Sequence, residues 1–346
     1  MSEITSVVTT REGRAADSRR PLLLTPRANL AGYVASRLGR ALLFVLAATS
    51  VLAVLAILYF IFREAAGFFV GPAADASAGA AGFWATLGAA MRRLAELLAG
   101  NQWYPEAEAA EFGSFNIIFD SLYVSGGAMV IAVPVGLLAA VCLSDILPFS
   151  VRQATKPVVE ILASIPSVAF GFFAVLVLAP WLQNHLGIPT GTNALNAAVI
   201  LAVMAIPTIV SISEDALTAA GRELREASYA CGATRAETAL LVVVPAAHSG
   251  IIAAMILGLM RAVGETMVVW MASGNAAQIP HPWWDMTQSV RTLTATIAGE
   301  MGETVQGSPH YRALFAMGLV LLVFTFGLNL ATEHFLRAAR RQGGGR

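Results

Sequence analysis

Residues 214–248 read EDALTAAGRELREASYACGATRAETALLVVVPAAH, and this comparatively polar stretch lies between two long apolar runs. Its first half places apolar side chains at intervals of three and four residues, which predicts a helix with one apolar face. These side chains are Leu217, Ala220, Leu224, Ala227 and Cys231. Gly232 follows at the position where a helix end turns left-handed and glycine is favoured. Thr234 and Glu237 then match the capping box of a second helix, so the stretch is predicted to fold as helix, tight turn and helix.

Long charge-poor apolar runs surround this stretch. A bilayer core about 30 Å thick needs about 20 apolar residues per helix. Six runs of about that length are predicted to span the membrane: residues 41–62, 121–144, 161–184, 187–213, 249–272 and 313–332. Among these runs, only 249–272 contains charged residues, Arg261 and Glu265. The chain is therefore predicted to be an all-α polytopic membrane protein with six transmembrane helices.

The composition of the whole 346-residue chain supports this fold class. Apolar residues make up 57% and charged residues only 13%, whereas a soluble globular chain carries about a quarter charged residues. So little charge cannot cover the surface of a soluble protein of this size, and such an apolar composition also excludes a disordered chain. The net charge of +0 indicates no bulk electrostatic attraction to nucleic acid.

Basic residues are distributed unevenly between the two sides of the predicted topology. With the N-terminus inside, 16 of the 22 basic residues fall in cytoplasmic segments and 5 outside, with Arg261 as the remaining one. Cytoplasmic loops retain Lys and Arg, so both termini are predicted to be cytoplasmic, with tails at residues 1–40 and 337–346. Residues 63–116 then form an extracytoplasmic segment. Within it, residues 83–98 have the spacing of an interfacial helix or, equally, of an ordinary amphipathic packing helix.

The sequence contains no recognisable motif for catalysis, metal binding or nucleotide binding. Its one lysine, Lys156, precedes Pro157, whereas a Walker A loop needs Lys before Ser or Thr. Any ATP-driven work therefore requires the ATPase of a partner. Cys142 and Cys231 lie far apart without a CxxC motif, which argues against a disulfide framework or a zinc site. Since no paired nucleophile and base and no HExxH motif supports an intramembrane enzyme, we predict no catalytic residue, metal or cofactor.

The helix-turn-helix predicted at residues 214–248 also matches the local shape of DNA-reading motifs. DNA binding draws on clustered positive charge, but this stretch carries five acidic and three basic residues. Docking to a protein partner is therefore the better interpretation, and no nucleic-acid partner is expected.

The same stretch resembles the EAA loop of ABC importer permeases, in which Glu-Ala-Ala is followed by three residues, Gly, nine residues and Ile-x-Leu-Pro. At matching spacing the present sequence has Glu226-Ala227-Ser228, Gly232, Val242, Val244 and Pro245. In that family the loop inserts into a groove of the ATPase subunit and transmits its closure to the membrane helices. The resemblance implies a type I ABC importer permease fold with ATPase-coupling residues Glu226, Ala227, Gly232 and Pro245. A passive channel would not need such a loop.

Further segments resemble Pst-type phosphate permeases, over roughly residues 103–335. They are 160–168 (EILASIPSV), 205–209 (AIPTI), 222–227 (RELREA) and 261–267 (RAVGETM). Residues 291–294 (RTLT) and 310–315 (HYRALF) are more similar to the C-type subunit than to the A-type subunit. Asp120-Ser121-Leu122 departs from the family pattern, which has a Gly-Thr-Leu-like entry to the second span.

This closer resemblance implies one of two permease subunits of a bacterial phosphate importer in the cytoplasmic (inner) membrane, with its permease core at residues 117–336. The implied partners are a second permease subunit of A type, cytoplasmic ATP-binding subunits, an extracytoplasmic phosphate-binding protein and membrane lipid. ATP hydrolysis would belong to the ATP-binding subunits, so the chain itself is not expected to be an enzyme. The EAA loop alone does not select the anion, and a sulfate, molybdate or phosphonate permease remains the alternative.

Arg261 is the charged residue with the strongest functional implication. It lies 12 residues into the run 249–272, which at ~1.5 Å per residue is about 18 Å deep and near the bilayer midplane. Such an arginine usually faces a bundle interior or a water-filled path. Glu265 follows four residues later, on the same face of a continuous helix. Two interpretations stay open: Arg261 meets phosphate in the translocation path while Glu265 orients it, or the two side chains only pair with each other.

Proline and tryptophan mark two further features. Pro166 and Pro207 lie inside predicted spans, where proline can kink a helix and free backbone carbonyls. In the loop before residue 291, His281 precedes Trp283 and Trp284, and tryptophan favours the membrane interface. This extracytoplasmic loop is predicted either to meet a binding protein or to anchor at the membrane surface.

Overall fold

The structure is a computed structural model that describes residues 26–71 and 80–343, and these residues are almost entirely helical. The predicted N-terminal tail, residues 1–40, therefore lies mostly outside the described residues. The chain divides into two compact units, Met1–Phe60 and Ile61–Arg346. All described residues of the first unit belong to one helix, and the coupling and translocation residues lie in the second unit.

Fourteen helices and one two-stranded antiparallel hairpin make up the described part of the chain. The N-terminal elements are α1 (Pro26–Val70), α2 (Ala80–Ala99), β1 (Trp103–Tyr104), β2 (Glu111–Phe112), α3 (Phe115–Val141), α4 (Phe149–Ser164), α5 (Ser167–Phe173) and α6 (Ala179–Leu186). The C-terminal elements are α7 (Ala194–Ala219), α8 (Arg222–Ala230), α9 (Arg235–Glu237), α10 (Val244–Ala246), α11 (His248–Gly264), α12 (Met267–Ala272), α13 (Leu293–Glu300) and α14 (Pro309–Gly343). Wider π-helical turns continue α3 at Cys142–Ile146, α5 at Ala174–Leu178 and α9 at Thr238–Val243.

Several of these helices are long and apolar enough to cross a membrane. The described residues contain five: Ser36–Val70, Phe115–Ile146, Ser167–Leu186, Ala194–Ala219 and Pro309–Arg337. A sixth span results if Arg235–Ala246 and His248–Gly264, which meet at a bend of 74°, are counted as one. The prediction of an all-α polytopic membrane protein is therefore confirmed, although the predicted boundaries need two corrections.

The first correction concerns the run at 161–184. Ile165 and Pro166 have extended backbone, so α4 ends just before them and the membrane-spanning helix begins only at Ser167. Pro166 thus marks a full break rather than a kink. Pro207 has a different outcome, because α7 continues through it without interruption.

The second correction concerns the run at 249–272. Helix α11 ends at Gly264, because Glu265 takes an extended conformation with φ −70° and ψ 134°. The short helix α12 then starts at Met267. The predicted continuous helix is therefore wrong: hydropathy records the apolar length of a segment but not its backbone conformation.

Helix α7 is the central helix of the second unit. It packs against α3, α4, α11 and α12. Of the residues in its most apolar stretch, 61% are buried within the protein. Two glycines let α3 and α11 approach it closely at Ile209. A Cβ at Gly136 would lie 2.8 Å from Ile209 Cγ2, and one at Gly258 would lie 2.8 Å from Ile209 Cγ1. Since small residues allow membrane helices to pack backbone against side chain, Ile209 fixes three helices at one point.

A second apolar cluster joins the end of α1, α2, the hairpin, the start of α3, α13 and the start of α14. Its fully buried members include Leu97, Ile117, Leu314 and Met317. The predicted helix at 83–98 is confirmed as part of α2, which buries Leu97 but leaves Trp84 and Met91 exposed. The helix therefore packs near its C-terminal end, at Leu97.

Candidate coupling and translocation sites

The stretch predicted to couple to an ATPase folds as helix, tight turn and helix, which confirms the prediction. Helix α8 has no buried residue and exposes both Glu226 and Ala227. Gly232 follows with φ +88°, a left-handed conformation. Thr234 and Glu237 form the complete capping box: Glu237 N donates to Thr234 Oγ1 at 3.3 Å, and Thr234 N donates to Glu237 Oε2 at 2.8 Å.

The sequence predicts that Pro245 ends the second helix of the stretch, and this prediction is wrong. Pro245 lies inside the short helix α10 and does not itself end the second helix. The 74° bend comes after Ala246, where α10 gives way to α11. Pro245 thus lies two residues before Ala247, where the chain changes direction and leads into the fifth predicted span.

Replacing Gly232 by alanine should destabilise the turn. A Cβ at φ +88° raises the energy of the folded state by about 1–2 kcal/mol, although no neighbouring atom lies within 4 Å of that position. We expect a lower thermal unfolding midpoint for the purified chain. Gly318→Ala is the matched control, because Gly318 is helical and equally open, and it should leave the midpoint unchanged or slightly raised. Equal midpoints for both variants would contradict this account of the turn.

Arg225 ties the exposed helix α8 to the membrane helices. Its Nε donates to Asp145 Oδ1 at 2.6 Å, at the cytoplasm-proximal end of α3 in the predicted topology. Its terminal nitrogens donate to the carbonyls of Gly221 at 2.8 Å and of Leu217 at 2.9 Å. A further bond reaches Ser144 Oγ at 3.2 Å. One guanidinium therefore links α8, the end of α7 and the end of α3.

A second charged cluster clamps α4 to α7. Glu214 is almost fully buried and accepts hydrogen bonds from Arg152 and, at 2.8 Å, from Lys156. Lys156 also donates to Asp215 at 3.0 Å. These hydrogen bonds, the one to Glu214 first, raise the pKa of Lys156. Sequence reasoning missed this cluster; the spacing of the two basic residues, four positions apart on one helix face, was its available signal.

Arg261 lies half-buried in the last turn of α11, where α4, α7 and α11 converge. One terminal nitrogen donates to Thr208 Oγ1 of α7 at 3.2 Å, and the other donates to the Ala163 carbonyl of α4 at 3.4 Å. Ala163 lies two residues before the break at Ile165 and Pro166, and Thr208 directly follows Pro207. Arg261 therefore binds a carbonyl in the last turn of α4, where backbone carbonyls lack partners within the helix.

Glu265 does not share a helix face with Arg261, because the helix ends between them. Among the described residues, the two side chains form no ion pair. The backbone of Glu265 has its own anchor, since Thr294 Oγ1 of α13 donates to the Glu265 carbonyl at 2.7 Å. The side chain is half-buried. The structure thus places both residues at the same helix break. It does not show the Arg261–Glu265 ion pair that was one of the two interpretations of the sequence.

The chemistry of this helix break suits an anion. A guanidinium has five N–H donors, and within the described chain Arg261 uses two nitrogens on long hydrogen bonds to neutral acceptors. Hydrogen bonds from Arg to a carboxylate or phosphate are shorter and about twice as strong. An oxyanion would therefore bind Arg261 more strongly than its present partners do.

The loop that carries the two tryptophans has a defined fold. Trp283 and Trp284 are exposed and meet edge to face, with ring centroids 5.7 Å apart. Next to them in the sequence, hydrogen bonds from Thr287 and Gln288 lower the pKa of Asp285. The loop thus exposes two adjacent aromatic rings, which is compatible with either predicted role.

A family model for binding-protein-dependent transport system inner membrane components matches residues 132–341. The chain belongs to this family. The matched range contains the whole coupling stretch and both charged residues of the fifth predicted span. The permease is therefore the multi-pass inner-membrane component of a transport system that works with a substrate-binding protein and with separate ATP-binding subunits, and its fold is that of an ABC importer permease of type I.

Individual relatives cover most of the permease. It is 39% identical over 246 residues to the probable ABC transporter permease protein YqgH of Bacillus subtilis (strain 168), which is 71% of this chain and 78% of that protein. It is 35% identical over 258 residues to the phosphate transport system permease protein PstC of Mesorhizobium japonicum, which is 69% of this chain and 77% of that protein. An inward-facing structure of the MetNI methionine ABC transporter is 21% identical, with a TM-score of 0.48, and covers 66% of this chain and 94% of that chain.

Proposed function

We propose that this permease is the C-type permease subunit of a bacterial ABC importer for inorganic phosphate. Its relatives include several phosphate transport system permease proteins PstC, among them that of Xylella fastidiosa (strain 9a5c), 32% identical over 262 residues. The proposed partners are a second permease subunit of A type, ATP-binding subunits in the cytoplasm and an extracytoplasmic phosphate-binding protein, within the lipid bilayer. Both termini are cytoplasmic in this proposal, in line with the excess of basic residues on that side.

The observation that carries the proposal is the position of Arg261. An arginine within a membrane segment is energetically costly, by ~2.5–3.5 kcal/mol on insertion scales, and such residues mark substrate or ion pathways. Here the guanidinium lies where α4, α7 and α11 meet and contacts only neutral acceptors within the described chain. The breaks after Ser164 and after Gly264 provide chain segments that can change direction during alternating access, which is how we propose that the helices expose Arg261 to one side at a time.

Glu265 distinguishes phosphate from the other oxyanions. Phosphate at neutral pH keeps at least one hydroxyl, which can donate to a carboxylate, whereas sulfate has no proton to donate and would be repelled. A carboxylate close to the Arg261 anion site therefore favours phosphate over sulfate or molybdate. We propose that Arg261 binds the anion and that Glu265 orients it and limits how tightly it is held.

Uptake measurements test the substrate directly. In cells that lack this chain but keep its partners, restoring the wild-type chain should restore uptake of labelled phosphate and not of labelled sulfate. Phosphate uptake at the level of the empty vector, with the chain present in the membrane and the partners intact, would contradict phosphate transport. Recovery of sulfate uptake in the same cells would favour the alternative oxyanion permease.

The exposed stretch at residues 214–248 completes the proposed mechanism. We propose that α8 docks to an ATP-binding subunit and that closure of the ATP-binding subunits moves α8 towards the membrane. Arg225 would pass this movement to Asp145 at the end of α3, while the clamp of Glu214 to Lys156 keeps α4 and α7 moving together. The ATP hydrolysis itself belongs to the partner.

A further inference from the structure

A cavity of about 370 Å³ in the second unit has two arginines in its wall. Its walls come from the end of α1, from α2, from β2 and from the start of α14. The residues that shape it are Gly67, Gly71, Arg93, Glu96, Phe112 and Arg312. In the proposed topology this cavity opens at the extracytoplasmic boundary of the membrane, because α14 begins there.

Two glycines make room for two guanidiniums in this cavity. A Cβ at Gly67 would lie 3.1 Å from both Cδ and Nε of Arg312. A Cβ at Gly71, where φ is +55°, would lie 2.4 Å from a terminal nitrogen of Arg93. Gly67 lies in the last turn of α1 and Gly71 directly follows the helix, so both arginines lie against the same end of α1.

Both arginines keep unused binding capacity within the described chain. Arg312 Nε is buried from solvent and has no hydrogen-bond partner among the described residues. Arg93 donates one hydrogen bond, to the Phe68 carbonyl at 2.6 Å. Neither guanidinium forms an ion pair with a described carboxylate. Glu96, whose side chain is exposed, contributes the one acidic group to the described cavity wall, so the wall keeps a net positive charge.

We propose that this cavity binds a phosphate-type oxyanion, as the head group of an anionic phospholipid or as free inorganic phosphate. Two guanidiniums around one cavity are the arrangement that recognises phosphate through paired, charge-assisted hydrogen bonds. The unpartnered Nε of Arg312 is an N–H donor whose burial without an acceptor is unfavourable, and a bound oxyanion supplies that acceptor. The site is separate from Arg261 and does not depend on the transported anion being phosphate.

Binding of two probes to the full-length purified chain tests this site. The lipid probe is phosphatidylglycerol, followed by native mass spectrometry, with diacylglycerol as the same chains without phosphate. The ion probe is inorganic phosphate, followed by calorimetry in an Arg261→Ala background so that the fifth-span site does not contribute. We expect one of the two probes to bind, and the one that binds identifies the source of the phosphate group.

Arginine variants show whether the binding belongs to this cavity. The double variant Arg93→Gln, Arg312→Gln should weaken binding of the successful probe by about tenfold or more, since it removes the charge-assisted hydrogen bonds of both guanidiniums. Arg312→Lys keeps the charge and should weaken it less. Arg92→Gln, on an exposed neighbouring residue, should bind as wild type. The proposal is overturned if neither probe binds, or if the Arg93, Arg312 variants bind as tightly as wild type.

Discussion

Replacing Arg261 by alanine should reduce phosphate uptake to the level of cells that lack this permease. The guanidinium is the one basic group that the sequence places inside an apolar span, and its described partners are a hydroxyl and a carbonyl. Each charged hydrogen bond to a bound anion is worth ~1.5–3 kcal/mol, so losing two predicts at least a roughly 100-fold loss of uptake. Labelled phosphate uptake measures this, with membrane insertion checked by immunoblotting of the membrane fraction.

A structural role for Arg261 predicts a different pattern. If Arg261 served only to hold α11 against α4 and α7, its removal would lower the thermal stability of the chain, and Thr208→Val, which removes one of its acceptors, would do the same. If Arg261 binds the substrate, Arg261→Ala loses uptake with little loss of stability, whereas Thr208→Val keeps most of the uptake. Normal uptake by Arg261→Ala would remove this residue from the translocation path.

The coupling stretch was predictable because its signals are local. The left-handed turn at Gly232 and the capping box of Thr234 and Glu237 depend on residues within a few positions of one another, and the backbone hydrogen bonds form as the sequence indicates. Glycine at a helix end and a capping residue act on their own turn of chain. The length of an apolar run is also a local property of the sequence, and it located the membrane spans.

The breaks in two spans were not predictable to the same degree. Hydropathy treats residues 249–272 as one run, but Glu265 leaves the helix and its carbonyl binds Thr294, 29 positions away in sequence. Such a partner lies outside any local window. Pro166 gave a partial signal for the other break, since the residue before a proline is biased towards an extended backbone. Proline alone is not a sufficient signal, because α7 continues through Pro207.

Contacts of charged residues with partners far away in the sequence were also not predictable. The unusual position of Arg261 in an apolar run was visible in the sequence, but its contacts with Ala163 and Thr208 were not. Arg225 stood in the RELREA segment without an assigned role, and its partner Asp145 lies 80 positions earlier. Periodicity tells which side of a helix is apolar, but it does not tell which distant charge that helix will meet.

Replacing Arg225 by alanine should uncouple ATP hydrolysis from transport. Arg225 and Asp145 are largely buried, with 16% and 4% of their side-chain surfaces exposed, and breaking such a pair costs about 3–5 kcal/mol because it leaves a charge without a partner. Helix α8 would keep its exposed docking surface but lose its described charged link to the end of α3. In the reconstituted transporter with its binding protein, we expect phosphate transport to fall about tenfold or more while ATP hydrolysis continues.

Two further variants separate this coupling role from a general loss of stability. Asp145→Asn removes the charge of the pair but keeps an amide oxygen that can accept a hydrogen bond from Arg225. Exchanging the pair as Arg225→Asp, Asp145→Arg should recover part of the transport that Arg225→Ala loses. Arg337→Ala is the matched control, because its pair with Glu333 on α14 is exposed, at 69% and 54%, and such pairs are worth about 0–1 kcal/mol. If Arg225→Ala keeps the wild-type ratio of transport to ATP hydrolysis, movement of α8 reaches the membrane helices by another route. The remaining connection is then the continuous chain from Val244 through the 74° bend into α11.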